Sequence, residues 1–333
     1  MEQIDFVVTW VDGSDEAWQK EKREYEKQTS GDGREERYRD WGLFKYWFRG
    51  VAKYAPWVRK VHFITWGHLP EWLNTDSPRL QIVRHEDYIP EEYLPTFNSN
   101  VLEIHMHRIR DLSEHFVYFN DDMFLIRPVK PTEFFDGGRP CDMLAFQPVV
   151  ANPSNPVMSR LYMNNSLVLS KYFDKRQNVR KQPGSYFKPG YPFMYFFYNL
   201  LELAFPLYTG FYTVHGPSPF CRDTFGELWE KEGDLLREMS GHRFRSPEDV
   251  TPYLFREWQK LSGNFKPRNV QKDFGYFEIA RDNRELTRVI AGQKRKMICV
   301  NDTWHGGDFE AIRAQLQEAF ERILPEVSEF ERV

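Results

Sequence analysis

Cysteine is scarce in this sequence, and the few cysteines form no recognisable motif. Cys141, Cys221 and Cys299 are the only three in 333 residues, and they are far apart and odd in number. Disulfide frameworks and zinc ribbons need cysteines paired at short spacings, so neither is predicted. A reducing cytosol is the simplest compartment for such a chain, and we expect a cytoplasmic protein.

The chain also lacks long apolar runs and an excess of basic residues. No uninterrupted apolar stretch approaches the roughly 20 residues that span a bilayer, and no basic segment followed by an apolar one opens the sequence. The net charge is −4, whereas nonspecific nucleic-acid binding requires a basic surface. We therefore expect no classical secretion signal, no membrane span and no nucleic-acid partner.

Aromatic residues, by contrast, are plentiful, at 17% of the chain. They are densest in residues 186–212, where only Lys188 and Glu202 are charged. Three interpretations fit this segment: a wall that stacks on sugar rings, a surface that faces lipid, or the small core of an inserted lobe. Composition does not separate them.

The apolar pattern predicts strands that alternate with helices, which favours a mostly parallel sheet. We predict an α/β fold with a Rossmann-like core in residues 1–147, an aromatic-rich insertion in 148–213, and a part completing the core in 214–333. An exposed helix followed by a loop is expected in 16–38. The predicted strands are 4–10, 61–66, 80–84, 116–119 and 297–300, and the predicted helices include 40–54, 98–109 and 309–324.

Three of the predicted strands end in acidic residues. The first runs into Asp12 and Asp15, another into Asp121 and Asp122, and the last into Asp302. Ligands of open α/β sheets bind at the carboxyl ends of strands, so these loops are expected to meet at one crevice. Clustered carboxylates suit Mg²⁺ or Mn²⁺ shared with a diphosphate, although each cluster alone is also ordinary turn chemistry.

Two kinds of basic side chain are candidates for the chemistry. His215 lies in Val-His-Gly-Pro, where its near-neutral pKa suits proton removal from a hydroxyl, although most of the nine histidines must be structural or exposed. His105 and Arg108 share a predicted helical face, and Arg243 and Arg245 align in an extended segment. Each pair could bind phosphate or simply be a solvated surface.

At these positions the sequence resembles the Stealth proteins, which include capsular polysaccharide phosphotransferases. Four blocks carry the resemblance: residues 4–15 (IDFVVTWVDGSD), residues 39–124 (with YAPWVRKVHFIT, LPTFNSNVLEIHMHRI and LSEHFVYFNDDMFL), residues 213–245, and residues 299–302 (CVND). Together they cover close to half of the chain in the family's order.

The resemblance implies a core similar to GT-A glycosyltransferases, with the first block near a nucleotide. It also implies that His215, Asp302, Arg243 and Asp122 are catalytic, and that Asp121, Asp122 and Asp302 bind Mg²⁺ or Mn²⁺. The substrate-binding residues predicted from the first two blocks are Trp10, Asp12, Gly13, Asp15, Arg39, Arg49, Asn98, Asn100, His105 and Arg108.

The activity implied is transfer of a hexose- or hexosamine-1-phosphate from a UDP-sugar to a glycan hydroxyl, with release of UMP, in cell-surface polysaccharide synthesis. The family association further implies a lipid-linked acceptor and peripheral contact with the inner face of the cytoplasmic membrane through residues 186–212. Two rival functions remain: a GT-A glycosyltransferase that releases UDP, and a noncatalytic glycan-binding protein.

Overall fold

The computed structural model describes residues 3–27, 39–153 and 155–332. Its centre is a five-stranded sheet in the order β3-β2-β1-β4-β8. The first four strands are parallel and β8 is antiparallel to β4, so the prediction of an α/β fold built on a mostly parallel sheet is confirmed. The strands are β1 (Ile4–Thr9), β2 (Val61–Thr65), β3 (Leu80–Arg84), β4 (His115–Asn120) and β8 (Ser218–Cys221).

Two three-stranded sheets flank the central one. In the order β10-β11-β5, β10 is parallel and β5 antiparallel to β11. The third sheet has the order β6-β7-β9. Their strands are β5 (Met123–Leu125), β6 (Phe135–Asp136), β7 (Arg139–Asp142), β9 (Lys266–Pro267), β10 (Phe274–Glu278) and β11 (Met297–Asn301).

Helices cover both faces of the central sheet, and none of those described is both long and apolar enough to cross a membrane. Residues 148–213, which we treat as an insertion, contain α4 to α7. The described helices are α1 (Glu16–Glu26), α2 (Phe44–Tyr54), α3 (Ser99–Ile104), α4 (Pro156–Tyr172), α5 (Lys175–Lys181), α6 (Pro183–Tyr186), α7 (Phe193–Glu202), α8 (Arg222–Lys231), α9 (Gly233–Ser240), α10 (Tyr253–Leu261), α11 (Arg284–Ala291) and α12 (Phe309–Ile323).

Strand β1 is apolar almost throughout because both of its faces are covered. Phe6 and Val8 belong to one buried cluster, which includes α2 and α12, and Val7 belongs to a second cluster, which includes α8 and α10. Successive strand side chains point to opposite faces, so each face of the central sheet needs an apolar layer. This explains a continuous rather than alternating apolar run.

Two local predictions need correction or limitation. The helix predicted over 98–109 ends at Ile104, with His105 as its C-cap, and a separate 3-10 turn follows at Met106–Arg108. His105 and Arg108 are thus not on one continuous helix, although both side chains lie against the Trp229 ring. The exposed helix predicted to begin near residue 16 is α1, whereas the loop expected after it, in residues 28–38, lies outside the described residues.

Candidate active site

A cavity of about 640 Å³ opens at the carboxyl ends of the central strands. Its lining includes the segments that follow three strands, as the sequence predicted: Trp10 after β1, Asp121 and Asp122 after β4, and Asp302 after β11. The size suits a small-molecule ligand. The cavity is therefore the candidate active site.

Strand pairing explains why distant acidic segments meet here. Thr9 at the end of β1 is registered with Asn120 at the end of β4. Directly after Asn120 the chain turns through Asp121 and Asp122 into β5, which pairs with β11, and the Val300 N–H donates to the Asp122 carbonyl at 2.8 Å. Residues about 180 positions apart in sequence are thereby fixed beside each other.

His215 reaches the same cavity because β8, which follows it, pairs with β4. Ser218 is registered with Tyr118, two residues before Asn120. The imidazole Nδ1 lies 2.8 Å from the Tyr253 hydroxyl, and Nε2 lies 3.6 Å from Asp122 Oδ2. Burial alone would lower the pKa of His215, but Asp122 raises it above its ordinary value. The ring is thus held on one side and faces a carboxylate on the other.

Asp122 is the residue best suited to bind a cation. Its Oδ1 is buried and makes no hydrogen bond within the described residues, while its Oδ2 accepts from the Cys299 thiol at 3.2 Å. Asp122, His215 and Cys299 form a group of potential ligands with atoms within 4.8 Å of one another. Burial raises the pKa of Cys299, so the thiol stays protonated and is a poor ligand for a hard cation.

Asp121 adds a second carboxylate to this end of the cavity. Desolvation raises its pKa to about 8, and the adjacent carboxylates of Asp122 and Asp40 contribute to the rise. Such crowding of like charges favours a compensating cation. Carboxylate oxygens suit Mg²⁺ or Mn²⁺ better than the His and Cys atoms nearby, although Asp121, like Asp302, lies outside the group of converging ligand atoms around Asp122.

Asp302, predicted both as a metal ligand and as a catalytic residue, is already engaged by neighbouring donors. Its Oδ2 is 3.0 Å from Arg39 Nε and accepts from Trp41 Nε1 at 2.9 Å, and its Oδ1 accepts from the Trp304 N–H at 3.0 Å. It lies outside the group of potential ligands identified above. In this structure Asp302 holds Arg39, a predicted substrate-binding residue, against the cavity wall.

Of the predicted pair Arg243 and Arg245, only Arg245 lines the cavity. The chain bends at Arg243 and Phe244, so the two side chains do not share one face of an extended segment as expected. Arg245 lines the cavity and donates to Ser99 Oγ at 2.6 Å. Arg243 instead donates to the Glu92 carbonyl and lies over the Tyr25 ring. Arg243 thus lies outside the cavity lining, and its predicted catalytic role stays a prediction.

Glu103 is a cavity residue that the sequence did not single out. It is only 7% exposed, lines the cavity, and has its pKa raised to about 7 by burial, with Arg245 partly opposing the rise. Glu103 stands four residues before His107 in a segment with several basic side chains, and no local pattern marks it as a site residue. Only the tertiary contact with Arg245 identifies it.

Four other predicted substrate-binding residues have structural partners instead. Arg49 is buried and ion-paired with Glu331 at 2.9 Å, and His105 is fully buried with its Nε2 2.9 Å from Ser240 Oγ. Arg108 lies over the Trp229 ring. None of the three lines the cavity within the described residues, so their predicted role in substrate binding stays a prediction.

Asn98, the fourth, positions the segment that carries Arg245. It caps α3, and its Nδ2 donates to Asp249 Oδ2 at 2.8 Å. Asp249 also accepts from the Ser246 N–H, next to Arg245, at 3.0 Å. Asn98 is therefore linked through Asp249 to the segment that carries Arg245, and its predicted role in substrate binding stays a prediction.

The remaining predicted residues divide between the cavity and its edge. Asn100 borders a side compartment of about 100 Å³ that shares His215 and Arg245 with the main cavity. Asp12, Gly13 and Asp15 lie outside the cavity lining: Asp12 accepts from Ser14, the Gly13 carbonyl from Gln19, and Asp15 caps α1. These three shape the turn after β1, and only Trp10 and Val11 reach the cavity.

Comparison with known proteins gives consistent matches along the chain. The Stealth protein CR1 model (conserved region 1) matches residues 2–30, and the CR2 model (conserved region 2) matches residues 37–141. A capsular polysaccharide phosphotransferase, WcwK of Streptococcus pneumoniae, is 41% identical over 100% of this chain and 99% of its own. A receptor polysaccharide phosphotransferase, WefC of Streptococcus oralis, is 37% identical over 99% of this chain and 100% of its own.

Among solved structures, the galactosyltransferase LgtC in complex with donor and acceptor sugar analogs aligns over 96% of both chains. The TM-score is 0.39 and the identity is 10%. At that level the likeness adds nothing to the fold described above.

Proposed function

Because this chain belongs to the Stealth family of transferases, we propose that it moves a hexose- or hexosamine-1-phosphate from a UDP-sugar to a glycan hydroxyl in cell-surface polysaccharide synthesis. Its full-length relatives are named as phosphotransferases of capsular and receptor polysaccharides. The observation that carries the proposal is the meeting of His215, Asp122 and Arg245 in one cavity. A base, a carboxylate and a cation are the groups that phosphoryl transfer needs.

In the proposed reaction, the acceptor oxygen forms a bond to the β-phosphorus and the bond from that phosphorus to the α–β bridging oxygen breaks. UMP leaves with that oxygen. The acceptor proton passes to His215 Nε2, while Tyr253 at 2.8 Å from Nδ1 fixes the ring. The sugar C1–O bond stays intact, so the donor's anomeric configuration persists in the phosphodiester.

Positive charge in the cavity stabilises the phosphoryl oxygens. Arg245, held by Ser99, and Arg39, held by Asp302, are the two arginines in the lining. Guanidinium groups match the oxygens of a phosphate in geometry as well as in charge. A Mg²⁺ or Mn²⁺ ion held by Asp121 and Asp122 would supply further neutralisation of the diphosphate.

Glycosyl transfer is the second candidate, because a metal-binding acidic cluster serves it equally well. In that reaction the acceptor attacks sugar C1 and UDP leaves. The full-length relatives, which are named as phosphotransferases, favour attack at phosphorus instead. The nucleotide product separates the two reactions.

The experiment incubates the purified protein with Mg²⁺ or Mn²⁺, individual UDP-hexoses and UDP-N-acetylhexosamines, and a panel of oligosaccharide acceptors, and measures UMP and UDP by chromatography. We expect UMP in step with acceptor modification, and a fall of about 10²-fold or more in His215→Asn. UDP in step with modification would make the protein a glycosyltransferase. Equal activity in His215→Asn would remove His215 as the base.

We further propose that the natural acceptor is linked to a lipid carrier, in keeping with assembly of a surface polysaccharide. The wall of the cavity formed by α4 includes Met158 and Tyr162, which belong to the inserted residues 148–213. A comparison of kcat/KM for one oligosaccharide in free and polyprenyl-diphosphate-linked form tests this. A preference for the free form would contradict it.

A further inference from the structure

Helix α7 is amphipathic, but in the orientation opposite to the usual one: polar residues face the protein interior. Its buried residues are Tyr195, Asn199 and Glu202, which share one helical stripe. Asn199 accepts from the Phe146 N–H at 2.7 Å and donates to the Tyr186 carbonyl at 2.6 Å. A surface helix of a soluble domain normally buries its apolar stripe and exposes the polar one.

The outward face of α7 and of the residues just after it is apolar; we call it the apolar surface. Phe193 is 82% exposed and Leu207 is 69% exposed. Single exposed apolar side chains are common, but a contiguous group indicates a binding surface. Its members are Phe193, Met194, Phe196, Phe197, Leu200, Leu201, Leu203, Phe205 and Leu207.

A basic helix, α5, adjoins the apolar surface. Lys175, at the start of α5, is buried; it pairs with Glu202 Oε2 at 2.7 Å and donates to the carbonyls of Glu202 and Leu207, which fixes α5 against the end of α7. Three further basic residues of α5, Arg176, Arg180 and Lys181, are exposed. Apolar and basic surfaces are thus rigidly joined.

The charge of this region is opposite to that of the whole chain. Residues 156–212 contain seven Lys or Arg and two Asp or Glu, in a chain whose net charge is −4. Of these, Lys175 and Glu202 neutralise each other in the interior. The exposed charge beside the apolar surface is therefore strongly positive.

We propose that α7 and α5 dock the protein on an anionic lipid bilayer, with the apolar surface inserted at the headgroup level and the basic face of α5 against lipid phosphates. Exposed aromatic and Leu side chains beside Lys and Arg are the chemistry of interfacial helices. A second copy fits less well, because it would present the same basic charge rather than a complementary negative one. This binding is independent of which nucleotide product the enzyme forms.

The first test is flotation of the intact protein with vesicles of phosphatidylcholine, alone or mixed with phosphatidylglycerol. We expect strong binding to the mixed vesicles, weaker binding to phosphatidylcholine, and a decrease with salt. Phe193→Gln/Phe197→Gln/Leu201→Gln should lower the ratio of bound to free protein about tenfold or more. Failure of the wild type to float with the mixed vesicles would overturn the proposal.

Matched variants distinguish lipid binding through α7 and α5 from nonspecific adsorption of the protein to vesicles. Leu69→Gln/Val327→Gln changes exposed apolar residues elsewhere, and Arg281→Gln/Lys294→Gln changes exposed basic residues elsewhere. Both should float like the wild type, whereas Arg176→Gln/Arg180→Gln/Lys181→Gln should lose the preference for phosphatidylglycerol. Equal losses in the matched variants would overturn the proposal.

Folding and self-association are checked on the same samples. The single variant Phe193→Gln changes the most exposed of these side chains and should keep the wild-type thermal transition while binding less lipid. Sedimentation measures the oligomeric state. A dimer that dissociates in the triple α7 variant, with no lipid binding by the wild type, would assign the surface to a second copy instead.

Discussion

At the scale of single residues, the cavity depends on side chains that neighbours hold in place. Arg245 is held by Ser99, Arg39 by Asp302, and His215 by Tyr253. Each contact joins segments more than 30 positions apart in sequence. The sequence could identify His215 and Asp122 from their local setting, because Gly-Pro and a strand end are local signals, but it could not distinguish Arg245 from Arg243.

The two arginines give a matched pair of substitutions. Arg245→Lys should lower kcat/KM by about 10²-fold, because a lysine cannot reproduce the planar guanidinium against the phosphoryl oxygens. Arg243→Lys should change it by about threefold or less, since Arg243 lies outside the cavity lining. Steady-state kinetics and thermal transitions of both variants measure this. A larger loss in Arg243→Lys would restore the assignment made from the sequence.

Asp5 predicts how stability changes with pH. Burial would raise the pKa of Asp5, but hydrogen bonds from His62, Arg59 and the Ser113 N–H hold it below its ordinary value of 3.8. A group whose pKa is lowered by folding stabilises the fold above its unfolded pKa and loses that contribution as pH falls through its folded pKa. The free energy of unfolding should therefore decline on acidification below about pH 4.

The variant Asp5→Asn isolates this contribution. It should lower the free energy of unfolding at pH 7 by about 2 kcal/mol, because Arg59 and His62 lose their charged partner. Its stability should also depend less on acid than that of the wild type. Urea unfolding between pH 7 and about pH 3 measures both effects. Parallel pH curves for the two proteins would contradict the role given to Asp5.

At the scale of secondary-structure elements, the junction of α2 and β5 fixes the acidic turn. Gly50 in α2 lies so close to β5 that an added Cβ would be 2.7 Å from the Leu125 carbonyl oxygen. Strand β5 follows directly after Asp121 and Asp122. The backbone of α2 therefore packs directly against β5, the strand that follows the acidic turn of the cavity.

Two glycine substitutions test this packing. Gly50→Ala should destabilise the protein by about 2 kcal/mol through overpacking, and should lower activity by displacing β5. Gly226→Ala, in the exposed part of α8 where an added Cβ meets nothing within 4 Å, should stabilise it by about 0.5 to 1 kcal/mol. Chemical denaturation compares them. A neutral Gly50→Ala would show that the contact is not tight in solution.

At the scale of the whole molecule, five strands could be predicted from their apolar pattern, whereas β5, β8 and β10 could not. β1, β2, β4 and β11 are mainly apolar runs buried in the core, and β3, at the edge of the central sheet, is partly exposed but still carries an apolar pattern. β5 and β8 have only three and four residues and pair with segments far away in the chain, and β10 is partly exposed along its length. β5 and β8 position Asp122 and His215. The sequence therefore predicted that these residues belong to the site, but it did not predict how the fold brings them together.

The central claim is that the β-phosphorus of the UDP-sugar is transferred to the acceptor together with the sugar. A UDP-sugar radiolabelled at the β-phosphorus, incubated with the wild-type enzyme and a glycan acceptor, tests it most directly. We predict that the label appears in the acceptor in equal amount to the UMP released, and that the modified acceptor carries a phosphodiester. Label that remains in UDP while the acceptor gains an unlabelled sugar would contradict sugar-1-phosphate transfer.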